Sequence, residues 1–113
     1  MNQRLKHSVT TLALTTTLLW AVANAADPEF RIVIKDHKFA PAELAVPAGQ
    51  KIRLTVENQD PTPEEFESYD LNREKIVSGN GRIVVFVGPL KPGKYEFFGD
   101  FNPSTARGWI VAQ

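Results

Sequence analysis

From Phe30 to the C-terminus, Pro or Gly interrupts the chain roughly every ten residues, and the runs between are short and rich in β-branched side chains. Nowhere is there a convincing helical period. Only Ser104-Thr105-Ala106-Arg107 offers a single helical turn. Lys51 to Asn58 alternates strictly, which predicts a half-buried strand with Ile52, Leu54 and Val56 facing inward. Phe30–Lys35, Arg82–Val87, Lys94–Phe98 and Trp109–Val111 read as further strands, and Leu44 and Val46 lead into a turn at Pro47-Ala48-Gly49. Phe66 to Tyr69 reads as extended, with a bend at Asp70 before pairing resumes at Ile76-Val77. Phe39-Ala40-Pro41 reads as a break, Ser78-Gly79-Asn80-Gly81 as a hairpin turn, and Leu90-Lys91-Pro92-Gly93 as another turn. The expected class is all-β, an antiparallel sandwich or small barrel.

The first 25 residues are of another kind. Arg4 and Lys6 precede a mostly apolar run from Val9 to Val22, which closes on Ala23-Asn24-Ala25. A basic start, a short apolar stretch and a small-x-small close predict a secretory leader cleaved after Ala25, with one domain over 26–113. The apolar run falls short of the ~20 residues that span a bilayer, so the expectation is an exported protein with no membrane anchor after cleavage. Cleavage removes Arg4, Lys6 and His7. The balance of 13 basic and 13 acidic residues becomes 11 against 13, and His37 remains as the only histidine. The sole methionine is Met1, and there is no cysteine. Disulfides, thiolate metal centres and thiol catalysis are thereby excluded, and the domain must be held by its core. Basic residues are interspersed with acids, without a stripe interleaved with aromatics and without a phosphate-cradling glycine loop, so nucleic acid is not an expected partner.

Two segments carry chemistry. In Pro63-Glu64-Glu65-Phe66-Glu67-Ser68, strand alternation puts Glu65 and Glu67 on one face and Glu64, Phe66 and Ser68 on the other. Phe66 belongs to the core, so Glu65 and Glu67 point away from it. Two carboxylates about 7 Å apart along a strand suit a hard cation, and oxygen donors fit iron, manganese, calcium or copper(II). The same charges would equally guard a strand against unwanted pairing. In Gly99-Asp100-Phe101-Asn102-Pro103, Asp100 and Asn102 offer two more oxygen donors, although both are also ordinary turn residues. His37 lies at a strand end with no nucleophile motif to serve, so it reads as a surface residue and a weaker ligand candidate, as does Glu64. A glycosidase pair of carboxylates would need a sugar cleft, for which 88 residues leave little room.

The order of segments resembles a cupredoxin. Phe39 to Asn58 (F-x-P-A-E-L-x-V-P-A-G-Q-K-I-R-L-T-V-E-N) is similar to the second and third strands of periplasmic cupredoxin-like domains. Leu90 to Phe98 resembles the strand entering their metal loop, and Gly108 to Val111 their last strand. The resemblance implies a Greek-key β-sandwich of about 7–8 strands. The cysteine of a blue-copper site is missing, so that centre is excluded. E-F-E-S followed by D-L-N-R-E-K (Glu65–Ser68, Asp70–Lys75) resembles the branch found with bacterial iron uptake, the EfeO-type cupredoxin domains and the small periplasmic partners of high-affinity iron permeases. That resemblance implies Glu65 and Glu67 as metal ligands. It maps a D-F-H-P-type loop onto Asp100–Pro103, with Asn102 where a histidine is often found, and it makes iron or copper(II) the metal. An inner-membrane iron permease complex and other periplasmic iron-uptake proteins are the implied partners. Binding and delivery, rather than catalysis, is the implied role, with assistance in ferrous iron oxidation left open. The alternative is a metal-free interaction module whose acidic edge docks a basic partner. Arg73 and Lys75 either balance the acidic cluster or meet a partner.

Overall fold

The computed structural model describes residues 3, 8, 10–17 and 26–113; the leader expected over 1–25 lies for the most part outside the described residues. Among the described residues nine strands run in chain order: β1 (Glu29–Lys35), β2 (Lys38–Ala40), β3 (Glu43–Val46), β4 (Ile52–Asn58), β5 (Glu64–Ser68), β6 (Arg73–Val77), β7 (Arg82–Val87), β8 (Gly93–Gly99) and β9 (Arg107–Ala112). They form two sheets, ordered β2-β1-β4-β7 and β3-β9-β8-β5-β6. The class is all-β, as expected, with more strands than expected. One of the additions is β2. Lys38–Ala40 pairs back onto β1 and buries Phe39, so this segment is a strand and not a break. Nor is the sandwich purely antiparallel. β1 runs parallel to β4, and β3 runs parallel to β9.

Alternation explains the core. Ile52, Leu54 and Val56 are fully buried, together with Ile32 and Ile34 from β1 and Val87 from β7, and Val85 of β7 is buried beside them. The facing sheet contributes Leu44, Val46, Phe66, Val77, Phe97 and Ile110. Each such side chain contributes ~1.5–3 kcal/mol of apolar burial. Phe39, Phe66 and Phe97 meet at the centre with ring centroids 4.9 to 6.2 Å apart. The inner side of β5 is thereby pinned, which fixes what its outer side presents.

Ser78–Gly81 does not close a hairpin. It carries the chain from β6 in one sheet to β7 in the other. The Asn80 N–H donates to the Asp60 carbonyl at 2.8 Å, and a Cβ at Gly79 would run into the Pro61 carbonyl. This packing against the β4–β5 loop steers the crossover. Ser104-Thr105 lies in a turn and Arg107 opens β9, so this segment forms no helical turn. Among the described residues no helix is long and apolar enough to cross a membrane.

Candidate metal centre

β5 lies between β6 and β8, and this neighbourhood assembles the site. Glu67 stands opposite Glu74 of β6 and opposite Phe98 of β8. Asp100 follows β8 directly, and its N–H donates to the Glu65 carbonyl at 2.9 Å. Oxygen atoms of Glu65, Glu67 and Asp100 lie within 4.8 Å of one another on the outer side of the five-stranded sheet. Glu65 is buried, Glu67 half-buried and Asp100 exposed, so the group opens to solvent on one side.

Among the described residues no cation pairs with these charges. Among the described residues, every ion pair involves other acids: Glu57, Asp60, Asp27, Glu29, Glu43 and Glu96. Arg73 and Lys75 turn away. Arg73 donates to the Phe86 carbonyl at 2.9 Å and Lys75 to the Val84 carbonyl at 3.3 Å, which ties β6 to β7 across the sheet boundary. The carboxyls therefore shift one another. A hydrogen bond shared with Glu74 is the main cause that raises Glu65 to about 7; burial and the charges of Glu74, Glu67 and Asp100 add to it. Burial, then the charges of Asp100 and Glu74, raises Glu67, and a hydrogen bond with Glu65 offsets part of this. Crowded carboxyls without a cation must hold protons, and a bound cation would displace them.

Glu74 is the member that the sequence reading missed. It lies in the D-L-N-R-E-K run, four residues past Asp70. The signal was the length of the β5–β6 connection: with Ser68 opposite Arg73, Glu67 must face Glu74.

The remaining sequence-predicted residues lie elsewhere. Glu64 is on the inner side of β5, 1% exposed, and accepts from the Phe101 N–H at 2.8 Å and from the Asn102 side-chain amide at 2.7 Å. Asn102 is thus engaged by Glu64. His37 sits in the β1–β2 turn. Its N–H and that of Asp36 donate to the buried Asp60 carboxylate at 3.0 and 2.8 Å, and its Nδ1 lies 3.7 Å from Asp60. His37 is not a member of the carboxylate group.

The fit to metal follows from the donor set. A blue-copper centre needs a thiolate, and the chain has no cysteine. Three converging carboxylates, with a fourth beside them, supply only hard oxygen donors. These match a hard cation such as iron, manganese or calcium.

Comparison with known proteins agrees with this architecture. The family model of the cupredoxin-like domain matches residues 8–112, beginning inside the segment read as a leader. A sequence relative, an uncharacterized protein of Rickettsia prowazekii (strain Madrid E), is 57% identical over 83 residues, 74% of this chain and 66% of the relative. The match thus spans less than two thirds of that relative's length. Auracyanin A, a "blue" copper protein from the green thermophilic photosynthetic bacterium Chloroflexus aurantiacus, superposes with a TM-score of 0.67 at 15% identity, over 78% of this chain and all of its own. A purple cupredoxin from Nitrosopumilus maritimus superposes with a TM-score of 0.57 at 19% identity, over 74% of this chain and 98% of its own. At these identities the two structures share the fold with this chain.

Proposed function

The chain belongs to the cupredoxin-like domain family, and from that premise we propose that it is an exported metal-binding protein that takes up iron through Glu65, Glu67 and Asp100. The observation that carries this reading is the convergence of these three carboxylates within 4.8 Å, with no cation among the described residues paired to any of them. The oxygen-only donor set favours a hard ion over the soft chemistry of thiolate copper. The open side of the group lets an ion enter and leave, as a carrier requires. On this reading the protein works in the periplasm after removal of residues 1–25 and delivers iron to an inner-membrane permease complex. The resemblance of Glu65–Lys75 to the iron-uptake branch supports that placement. Iron here is cargo, and the residues hold it without transforming it.

The test is a thermal-shift series on the purified protein with Fe(II) under anaerobic conditions, Mn(II), Ca(II) and Cu(II). An ion at a hundred times its dissociation constant stabilises by ~2.7 kcal/mol. The reading expects the largest shift with iron and none in the Glu65→Ala/Glu67→Ala protein. No shift with any ion would leave the acidic face as a docking surface.

A further inference from the structure

The loop that carries Asp100 is held from beneath by one side chain. Glu64 reaches inward from β5 and over Gly99 into the Asp100–Asn102 turn. Its space exists only because residue 99 has no side chain: a Cβ there would lie 2.6 Å from the Glu64 carboxyl carbon and 2.7 Å from the Ala106 Cβ. Every hydrogen-bond partner of the Glu64 carboxyl is a donor. Oε1 accepts from the N–H of Phe101 at 2.8 Å and from the N–H of Glu65 at 2.9 Å, and Oε2 accepts from the Asn102 amide at 2.7 Å. These donors belong to both halves of the site, since Glu65 is on β5 and Phe101 and Asn102 flank the turn after Asp100. The turn also closes on itself, with the Asn102 N–H on the Gly99 carbonyl at 3.0 Å and the Gly99 N–H on the Ala106 carbonyl at 2.9 Å. An apolar residue at 64 would leave the Phe101 N–H without its acceptor in the part-buried turn.

We propose that Glu64 is the positioning residue of the carboxylate centre: its buried carboxyl clamps the 99–102 turn to β5 and so fixes Asp100 beside Glu65 and Glu67. This deepens the metal-binding reading and rests on it. Glu64 would act through hydrogen bonds and not as a ligand or as a charge. Two variants separate these roles. Glu64→Ala removes all three acceptor contacts. Glu64→Gln keeps Oε1 for the two backbone donors, and its new amide can donate to Asn102 once that side chain flips to present its oxygen.

The experiment is anaerobic Fe(II) titration of wild type, Glu64→Ala and Glu64→Gln, with amide hydrogen exchange on the metal-free proteins. Loss of a supporting partner weakens metal affinity by about 10- to 100-fold, the expected result for Glu64→Ala. Glu64→Gln should stay within about threefold of wild type, because the hydrogen-bond pattern is restored. In the metal-free Glu64→Ala protein, exchange should quicken at Phe101 and Asn102 and stay slow at Ile110 in β9. Wild-type affinity in Glu64→Ala overturns the proposal. An equal loss in both variants also overturns it, because charge would then be the cause. If wild type binds no Fe(II), the metal-binding reading fails by itself. Exchange in the metal-free protein still decides the clamp, and unchanged exchange at Phe101 overturns it.

Discussion

Glu64 and Glu65 are consecutive residues of β5, both buried, and their surroundings are opposite. On the inner side, Glu64 meets only donors. On the outer side, Glu65 meets Glu74, Glu67 and Asp100. The first environment is that of a structural anchor, in which N–H groups satisfy every lone pair that is used. The second is a frustrated one, where like charges crowd together and raise one another's proton affinity. Asp60 repeats the inner pattern at the far end of β4. Backbone donors His37 and Asp36 lower its pKa, the His37 bond being the largest cause, while burial opposes them. Burial alone therefore does not make a carboxyl functional; the sign of its neighbours does.

The sharpest way to break this contrast is to remove the outer pair. Glu65→Ala/Glu67→Ala should abolish iron binding, a loss of at least ~100-fold, while the metal-free protein melts no lower than wild type because like charges have been removed. Binding and melting of the two proteins, measured side by side, check this. A double variant that melts far lower would show that these carboxyls hold the fold together. The converse substitution is Asp60→Ala. It strips the acceptor from two backbone N–H groups and should cost ~1–3 kcal/mol in denaturant unfolding.

The pH dependence sharpens the same comparison, with opposite signs in the two regions. Glu65 binds its proton more tightly folded, at about 7, than unfolded, at 4.5. Its contribution to stability is complete below the unfolded value and is lost as pH rises through about 7. Asp60 is shifted down from 3.8, so its contribution is present above that value and is lost as pH falls through the lower folded one. Unfolding of the Glu65→Gln and Asp60→Asn proteins across pH 3–8 should flatten the first window in one and the second in the other. Smallest is Glu74→Gln. It takes away the charge and the hydrogen-bonding carboxyl that raise Glu65, so iron binding should persist to lower pH with affinity at pH 8 changed only a few-fold. Unchanged pH dependence would remove Glu74 from the account.

The sheet faces were legible because alternation is local. Ile52, Leu54 and Val56 declare an inner face by period alone, and the same period separates Glu65 and Glu67 from Phe66. Pairing between distant segments was not legible. β1 lies parallel to β4, and β6 leaves for the other sheet after Ser78–Gly81, a turn whose composition fits a hairpin equally well. Phe39 beside Pro41 reads as a break until β1 is there to pair with it. Asp100 approaches Glu65 only because β8 is the neighbour of β5, an adjacency that no spacing in the chain encodes. For the same reason Asn102 offered itself as a donor to metal, while the structure engages it with Glu64.

The central claim is that the Glu65, Glu67 and Asp100 carboxyls take an iron ion in exchange for a shared proton. Anaerobic calorimetric titration of the protein with Fe(II) at pH 6 and pH 8, each in two buffers of different ionisation enthalpy, tests it directly. The account predicts saturable binding of a single ion, with a buffer-dependent heat at pH 6 that marks proton release and has nearly vanished at pH 8. Absence of saturable binding at both pH values, or binding of the same strength in Glu65→Ala/Glu67→Ala, would contradict it.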